Sequence, residues 1–109
     1  MSEQIEAFPG SDHGRKFDKG KPLAGLLIQY FPRALKAVAE IATGGAEKYD
    51  RSNWLQVKDG ETRYTDAMVR HLIDSQITPL DDESNNLHFA HFAWNVLAVL
   101  ELMLRKEDA

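Results

Sequence analysis

The chain contains no cysteine. That excludes a disulfide scaffold, a thiolate zinc site, an iron–sulfur cluster and a cysteine nucleophile. It also removes the usual reason to expect secretion. Positive charge is in short supply: 13 basic residues against 17 acidic ones give a formal net charge of −4. Nucleic-acid binding by charge alone needs the opposite balance and is not expected. Long apolar runs are missing too. The longest apolar zone, Val96 to Leu100, is far too short to span a bilayer. Met1 to Glu6 are acidic and carry no apolar core of a targeting segment. The expectation is a cytoplasmic protein with no membrane and no nucleic-acid partner. Phosphate loops of the Walker type, dinucleotide fingerprints and GxSxG nucleophile elbows are all absent. So is an adjacent His-Asp doublet, and strand patterning is weak.

What is present is ordinary for a globular domain: 109 residues, 43% hydrophobic and 28% charged. The length suits one domain with a modest core. Residues 1–14, with Pro9-Gly10-Ser11-Asp12 and His13-Gly14, read as a flexible tail. Residues 15–109 read as an all-helical domain. Arg15 to Pro22 hold four bases and one acid, either a solvated lead-in or a phosphate-gripping arm. Leu23, Leu26, Leu27 and Tyr30 share a helical face. Leu35, Val38, Ala39, Ala42 and Ala46 recur at steps of three and four, predicting a helix from Pro32 to about Tyr49. Gly44-Gly45 either end that helix or mark a close approach to its backbone. A further helix is expected over Tyr64 to Gln76, with Thr65 as its N-cap. The last is expected from about Asn85 to about Lys106, capped by Ser84.

That last segment is apolar almost all round, from Phe89 and Phe92 to Met103 and Leu104. A helix hydrophobic on every side must be covered on every side. In so small a chain this predicts a homo-oligomer, dimer or higher, joined through the C-terminal helix. The fold expected is all-α: a single-domain bundle of three to four helices.

Three polar constellations stand out. Asp81, Ser84, His88, His91 and Asn95 are spaced 3, 4, 3 and 4, which would put them on one face of a greasy helix. Histidines one turn apart can ligate a metal or grip phosphate, or merely hydrogen-bond to fix register. Arg63, Asp66 and Arg70 line one face with His71 beside them. Arg70 has the fork that suits phosphate, while Asp66–Arg70 also reads as a plain surface pair. Around the glycines, Glu40 and Glu47 share a face and Lys48 and Tyr49 follow. Tyr49 and Trp54 read equally as base-stacking groups or as a satellite hydrophobic cluster.

Together these pieces resemble the phage family of dATP/dGTP diphosphohydrolase N-terminal domains, often described as MazG-like. The resemblance rests on Lys16-Phe17-Asp18-Lys19-Gly20-Lys21-Pro22, Gly45-Ala46-Glu47-Lys48-Tyr49 with Asn53-Trp54, and Arg63-Tyr64-Thr65-Asp66-Ala67 leading to Arg70-His71-Leu72. It continues in Asp81-Asp82-Glu83-Ser84 and His88-Phe89-Ala90-His91 with Asn95. It covers about residues 15 to 104. The chain departs from that pattern at Ile77 and Thr78, where a Gly-Glu pair is usual, and at Asn85, where glycine is usual. It also has no clean copy of the ExxE…ExxD arrangement with which related helical pyrophosphohydrolases hold Mg²⁺.

The resemblance implies cleavage of a deoxynucleoside triphosphate to the monophosphate and pyrophosphate. It implies Mg²⁺ or Mn²⁺ on carboxylates, Glu47, Asp66 and Asp81 being the candidates. Asp81, Glu83, His88 and His91 are the candidate catalytic groups. Lys19, Lys21, Lys48, Tyr49, Trp54, Arg70, His71 and Asn95 are the candidate substrate contacts. A second expectation is a metal-free oligomeric sponge. It would sequester nucleotide immune signals, cyclic dinucleotides or ADP-ribose derivatives, made by host antiviral defence. The threonine at 78, in place of a candidate metal ligand, motivates that alternative. The partner in either case is a small-molecule nucleotide, and the setting would be the cytoplasm of an infected bacterium.

Overall fold

Proline 32 divides the N-terminal half. A residue before proline is pushed off the right-handed helical region, and Phe31 sits at φ −128°, ψ 44°. The computed structural model, which describes residues 14–108, therefore has two helices here: α1 (Gly25–Tyr30) and α2 (Pro32–Lys48). Pro32 occupies the first turn of α2, where its missing N–H costs nothing. The expected tail at 1–14 lies outside the described residues except for Gly14. The chain continues through α3 (Asn53–Gln56), α4 (Gly60–Ser75) and α5 (His88–Asp108). The described residues thus form an all-helical domain of five helices rather than three to four. The helical face read over Leu23 to Tyr30 is α1, and the helix not expected from the sequence is the short α3. An isolated antiparallel bridge joins Leu80 to Leu87, and no strand occurs among the described residues.

α2 ends at Lys48, as the periodicity predicts, and runs through Gly44-Gly45 without a break. Two other boundaries differ from expectation. α4 starts at Gly60, after Asp59 in the left-handed region at φ 55°, so Thr65 lies inside the helix. There its hydroxyl donates to the Glu61 carbonyl at 2.7 Å, the local bond Thr forms when it is not capping. α5 begins at His88, not Asn85. Asn85 has φ 62°, which no right-handed helix accommodates, and Ser84 belongs to the preceding turn. Asn tolerates that conformation better than most side chains.

α4 and α5 form an antiparallel pair. At one end Lys106 meets Glu61 at 3.3 Å, and at the other His71 meets His88 at 3.1 Å. α2 lies against the same α5. The buried residues are Ala90 and Ala98, with His88 and Asn95 beside them. No large side chain is fully buried among the described residues. Phe89, Leu97, Leu100, Met103 and Leu104 stay about half exposed on α5. The apolar excess read from the sequence is therefore left uncovered by α2 and α4. No helix among the described residues is long and apolar enough to cross a membrane.

Candidate functional site

Packing α2 and α4 on α5, with α3 wedged beside them, leaves a cavity of about 1070 Å³. Four cations stand around it: Lys48, Arg51, Arg63 and Arg70. Glu40, Asp50, Asp66, Asp81 and Glu83 supply carboxylates, and Gly44 and Gly45 form part of the floor. A Cβ added at either glycine would meet nothing within 4 Å, so these glycines keep the α2 backbone open to the cavity.

Ten of the candidate catalytic, metal and substrate residues border this cavity: Lys48, Tyr49, Trp54, Asp66, Arg70, His71, Asp81, Glu83, His91 and Asn95. Lys19, Lys21, Glu47 and His88 do not. The arm holding Lys19 and Lys21 is exposed. It turns at Gly20, φ 83°, where the Lys21 N–H donates to the Asp18 carbonyl at 2.9 Å. His88 is buried on the far side of the α4–α5 seam. It borders a second, smaller cavity of about 350 Å³ with Asp74, Thr78 and Asp81.

The aromatic residues divide by role. Trp54 is held in a cluster with Tyr64 and Trp94, its ring edge-on to Trp94 at 5.9 Å. The Tyr64 hydroxyl donates to the Trp54 carbonyl at 2.7 Å, and burial raises the Tyr64 pKa. This ties α3 to α4 and α5, the satellite-cluster alternative for Trp54. Tyr49 is exposed at the cavity mouth, with the Lys48 ammonium 5.2 Å from its ring centre. Lys48 also pairs with Glu83 at 3.4 Å. Its pKa is raised, first by the Tyr49 hydroxyl and then by Glu83, both favouring the charged form.

The stripe from residue 81 converges although half of it is not helical. The Asp81 N–H donates to the Asn86 carbonyl at 2.8 Å, and the Asn85 N–H to the Asp81 carbonyl at 2.7 Å. This closed turn brings Asp81 back toward α5. Asp81 Oδ2 accepts from both the backbone N–H and the hydroxyl of Ser84, each at 2.8 Å. Ser84 Oγ lies 2.8 Å from His91 Nε2. With the hydroxyl proton directed at the carboxylate, Nε2 of His91 is the donor in that contact. Asn95 caps the arrangement from below, donating to the His91 carbonyl at 2.8 Å.

His71 stacks on His91 with ring centres 4.5 Å apart and planes 11° from parallel. Its Nδ1 lies 3.1 Å from Nδ1 of His88. Burial lowers the pKa of His71, and the neighbouring His91 adds to this. Burial likewise lowers that of His91, against the opposing pull of Asp81. Burial alone would raise Asp81, but the two Ser84 hydrogen bonds and the nearby histidines bring it below its usual value.

Glu47, Asp66 and Asp81 do not gather into a metal cage. Among the described residues, the group whose ligand atoms lie within 4.8 Å of one another is His71, Asp81 and His88. Arg51 and Trp94 border the cavity and were not singled out in the sequence. Arg51 follows Lys48-Tyr49-Asp50 closely enough to have been suspected, whereas Trp94 is indistinguishable from core in an apolar helix.

Residues 11–109 match the family described as dATP/dGTP diphosphohydrolase, N-terminal. The chain belongs to this family. It is also 34% identical over 91 residues to a protein of Salmonella phage PMBT28 named dATP/dGTP diphosphohydrolase. That match covers 83% of this chain and 30% of the phage protein, so the family domain spans under a third of its relative. No solved structure matches.

Proposed function

We propose that the chain binds a purine deoxynucleoside triphosphate in the large cavity and hydrolyses it to the monophosphate and pyrophosphate. The observation that carries this reading is the ring of Lys48, Arg51, Arg63 and Arg70 around a 1070 Å³ cavity whose wall holds the Asp81–Ser84–His91 chain. The name of the phage relative points the same way. Arg70 grips phosphate oxygens through its planar fork, and Lys48 adds a point charge. Both stabilise negative charge as it builds on the departing pyrophosphate. Tyr49, exposed at the mouth, stacks on the base. His91 orients the water that attacks the α-phosphorus. The bond from that phosphorus to the bridging oxygen then breaks and pyrophosphate leaves. A divalent cation, when bound, would be held by Asp66 or Asp81 on the cavity wall together with the phosphates and would supply neutralisation of phosphate charge.

Thr78, which borders the smaller cavity and stands where the resemblance has a glutamate, favours a second reading, binding without turnover, in which the large cavity sequesters a cyclic dinucleotide or an ADP-ribose derivative. Under either reading the chain works in the cytoplasm as a homo-oligomer that covers the exposed face of α5. Leu97 and Leu100, about half exposed, belong to that contact.

The test is chromatography of dATP, dGTP, cyclic dinucleotides and cyclic ADP-ribose after incubation with the protein and Mg²⁺ or Mn²⁺, before and after heat denaturation. Release of dAMP or dGMP with pyrophosphate supports hydrolysis. An intact nucleotide that disappears and returns on denaturation supports sequestration. Unchanged nucleotides throughout would overturn both readings.

A further inference from the structure

We propose that His71, Asp81 and His88 bind a first-row transition-metal ion of the Zn²⁺, Mn²⁺ or Co²⁺ class, in preference to Mg²⁺. The site goes beyond the nucleotide reading and stands whether or not the chain turns a nucleotide over.

The three residues come from three parts of the chain. His71 lies near the end of α4, His88 opens α5, and Asp81 sits in the closed turn between them. Their ligand atoms lie within 4.8 Å of one another. The two Nδ1 atoms are 3.1 Å apart. Nitrogens each about 2.05 Å from one ion and 3.1 Å apart subtend roughly 98° at it, between octahedral and tetrahedral angles. Two imidazole nitrogens meeting head to head otherwise share a single proton between them, an arrangement that one cation replaces with two bonds.

The supports of the ligands are built as well. Asp81 is fixed by two hydrogen bonds from Ser84, both on Oδ2, which leaves Oδ1 for an ion. His71 is held by stacking on His91, and His88 is buried at 5% exposure. Such outer contacts orient ligands and are a regular part of metal sites. Access is open from both sides, since Asp81 borders both cavities, His71 the large one and His88 the small one. Three protein ligands leave a position for water or a phosphate oxygen from the large cavity. Two imidazoles and one carboxylate make a borderline donor set. Mg²⁺ favours oxygen ligands and retains its waters, whereas imidazole suits the transition metals.

The experiment is a Co²⁺ titration of the full chain after EDTA treatment, with no nucleotide, read by visible d–d absorption. The expected result is one Co²⁺ per chain, displaced by Zn²⁺ and not by a hundredfold excess of Mg²⁺. His71→Gln and His88→Gln each weaken Co²⁺ binding at least tenfold, while Glu47→Gln leaves it unchanged. Circular dichroism checks that each variant is folded. If a buried-site variant unfolds, the wild-type chain decides alone. Imidazole NMR signals of His71 and His88 then broaden with substoichiometric Mn²⁺, and the backbone amide of Lys106, at the other end of α5, does not. Absence of Co²⁺ uptake, displacement by Mg²⁺, unchanged affinity in both folded glutamine variants, or equal broadening of Lys106 would overturn the proposal.

Discussion

Ser84 lies in the turn before α5, and its hydroxyl stands 2.8 Å from Nε2 of His91, seven residues further on. The same hydroxyl donates to Asp81 at 2.8 Å. One small side chain thus links the turn carboxylate to the helix imidazole on the cavity wall. Ser84→Ala removes both contacts and leaves Asp81 with only the backbone N–H. The expected loss is about 1–2 kcal/mol of stability, read as a lower urea midpoint, together with slower nucleotide turnover.

The protonation equilibria of this wall set an acid limit on the fold. Folding holds His71 and His91 below their ordinary value of 6.5, and Asp81 below 3.8. The unfolded chain therefore binds more protons than the folded one as pH falls. The stability these groups confer is complete above the unfolded values and is lost as pH drops through the folded ones. In EDTA, the urea midpoint should hold steady from about pH 8 to about pH 7 and fall below about pH 6.5. The fall should be shallower in His91→Gln.

Arg70 borders the cavity, and no salt bridge to Asp66 occupies it. Its replacement by alanine should leave the melting temperature within about a degree of wild type, because surface substitutions cost little. Affinity for dATP or dGTP should fall roughly tenfold to a hundredfold, the worth of a charge-assisted contact. Lysine at this position should restore only part of it, since the bidentate fork is lost. Calorimetric titration alongside thermal melts separates the two effects.

Gly44 and Gly45 lie inside α2, and neither has a neighbour that an added Cβ would strike. Alanine at each should stabilise the helix by roughly 1 kcal/mol. If the cavity floor carries the nucleotide, the same methyl groups should weaken its binding. A double alanine variant with a higher melting temperature and poorer affinity is the expected pair of results.

Trp54 and Tyr49 should separate cleanly. Trp54 belongs to the cluster with Tyr64 and Trp94, so Trp54→Ala should cost about 2 kcal/mol or more of stability. Tyr64→Phe, losing its bond to the Trp54 carbonyl, should cost about 1 kcal/mol. Tyr49→Ala should spare stability and raise the dissociation constant for the nucleotide.

Much of the fold was legible because helical periodicity is a local property. The runs at Leu35 to Ala46 and Phe89 to Leu104 announced α2 and α5, and the apolar surplus of α5 is present as exposed surface. Boundaries were less legible where a single backbone angle decides them. Asn85 in the left-handed region moves the start of α5 to His88, and Asp59 lets α4 begin before Thr65. The candidate site was half legible. The 3, 4, 3, 4 spacing suggested a helical stripe, yet Asp81 reaches His91 through a closed turn instead. The same spacing paired His88 with His91. It is the antiparallel seating of α5 on α4 that pairs His88 with His71, and no local pattern encodes that.

The central claim is that the cavity floored by Gly44 and Gly45 and ringed by Lys48 and Arg70 is the nucleotide site. Backbone amide NMR of the labelled chain, titrated with a non-hydrolysable dGTP analogue, tests it most directly. The account predicts saturable shifts at Gly44, Gly45, Lys48, Tyr49 and Arg70, needing roughly tenfold to a hundredfold more ligand in Arg70→Ala, with the exposed end of α5 around Lys106 unmoved. Saturable shifts elsewhere on the chain, or none at concentrations far above cellular nucleotide levels, would contradict it.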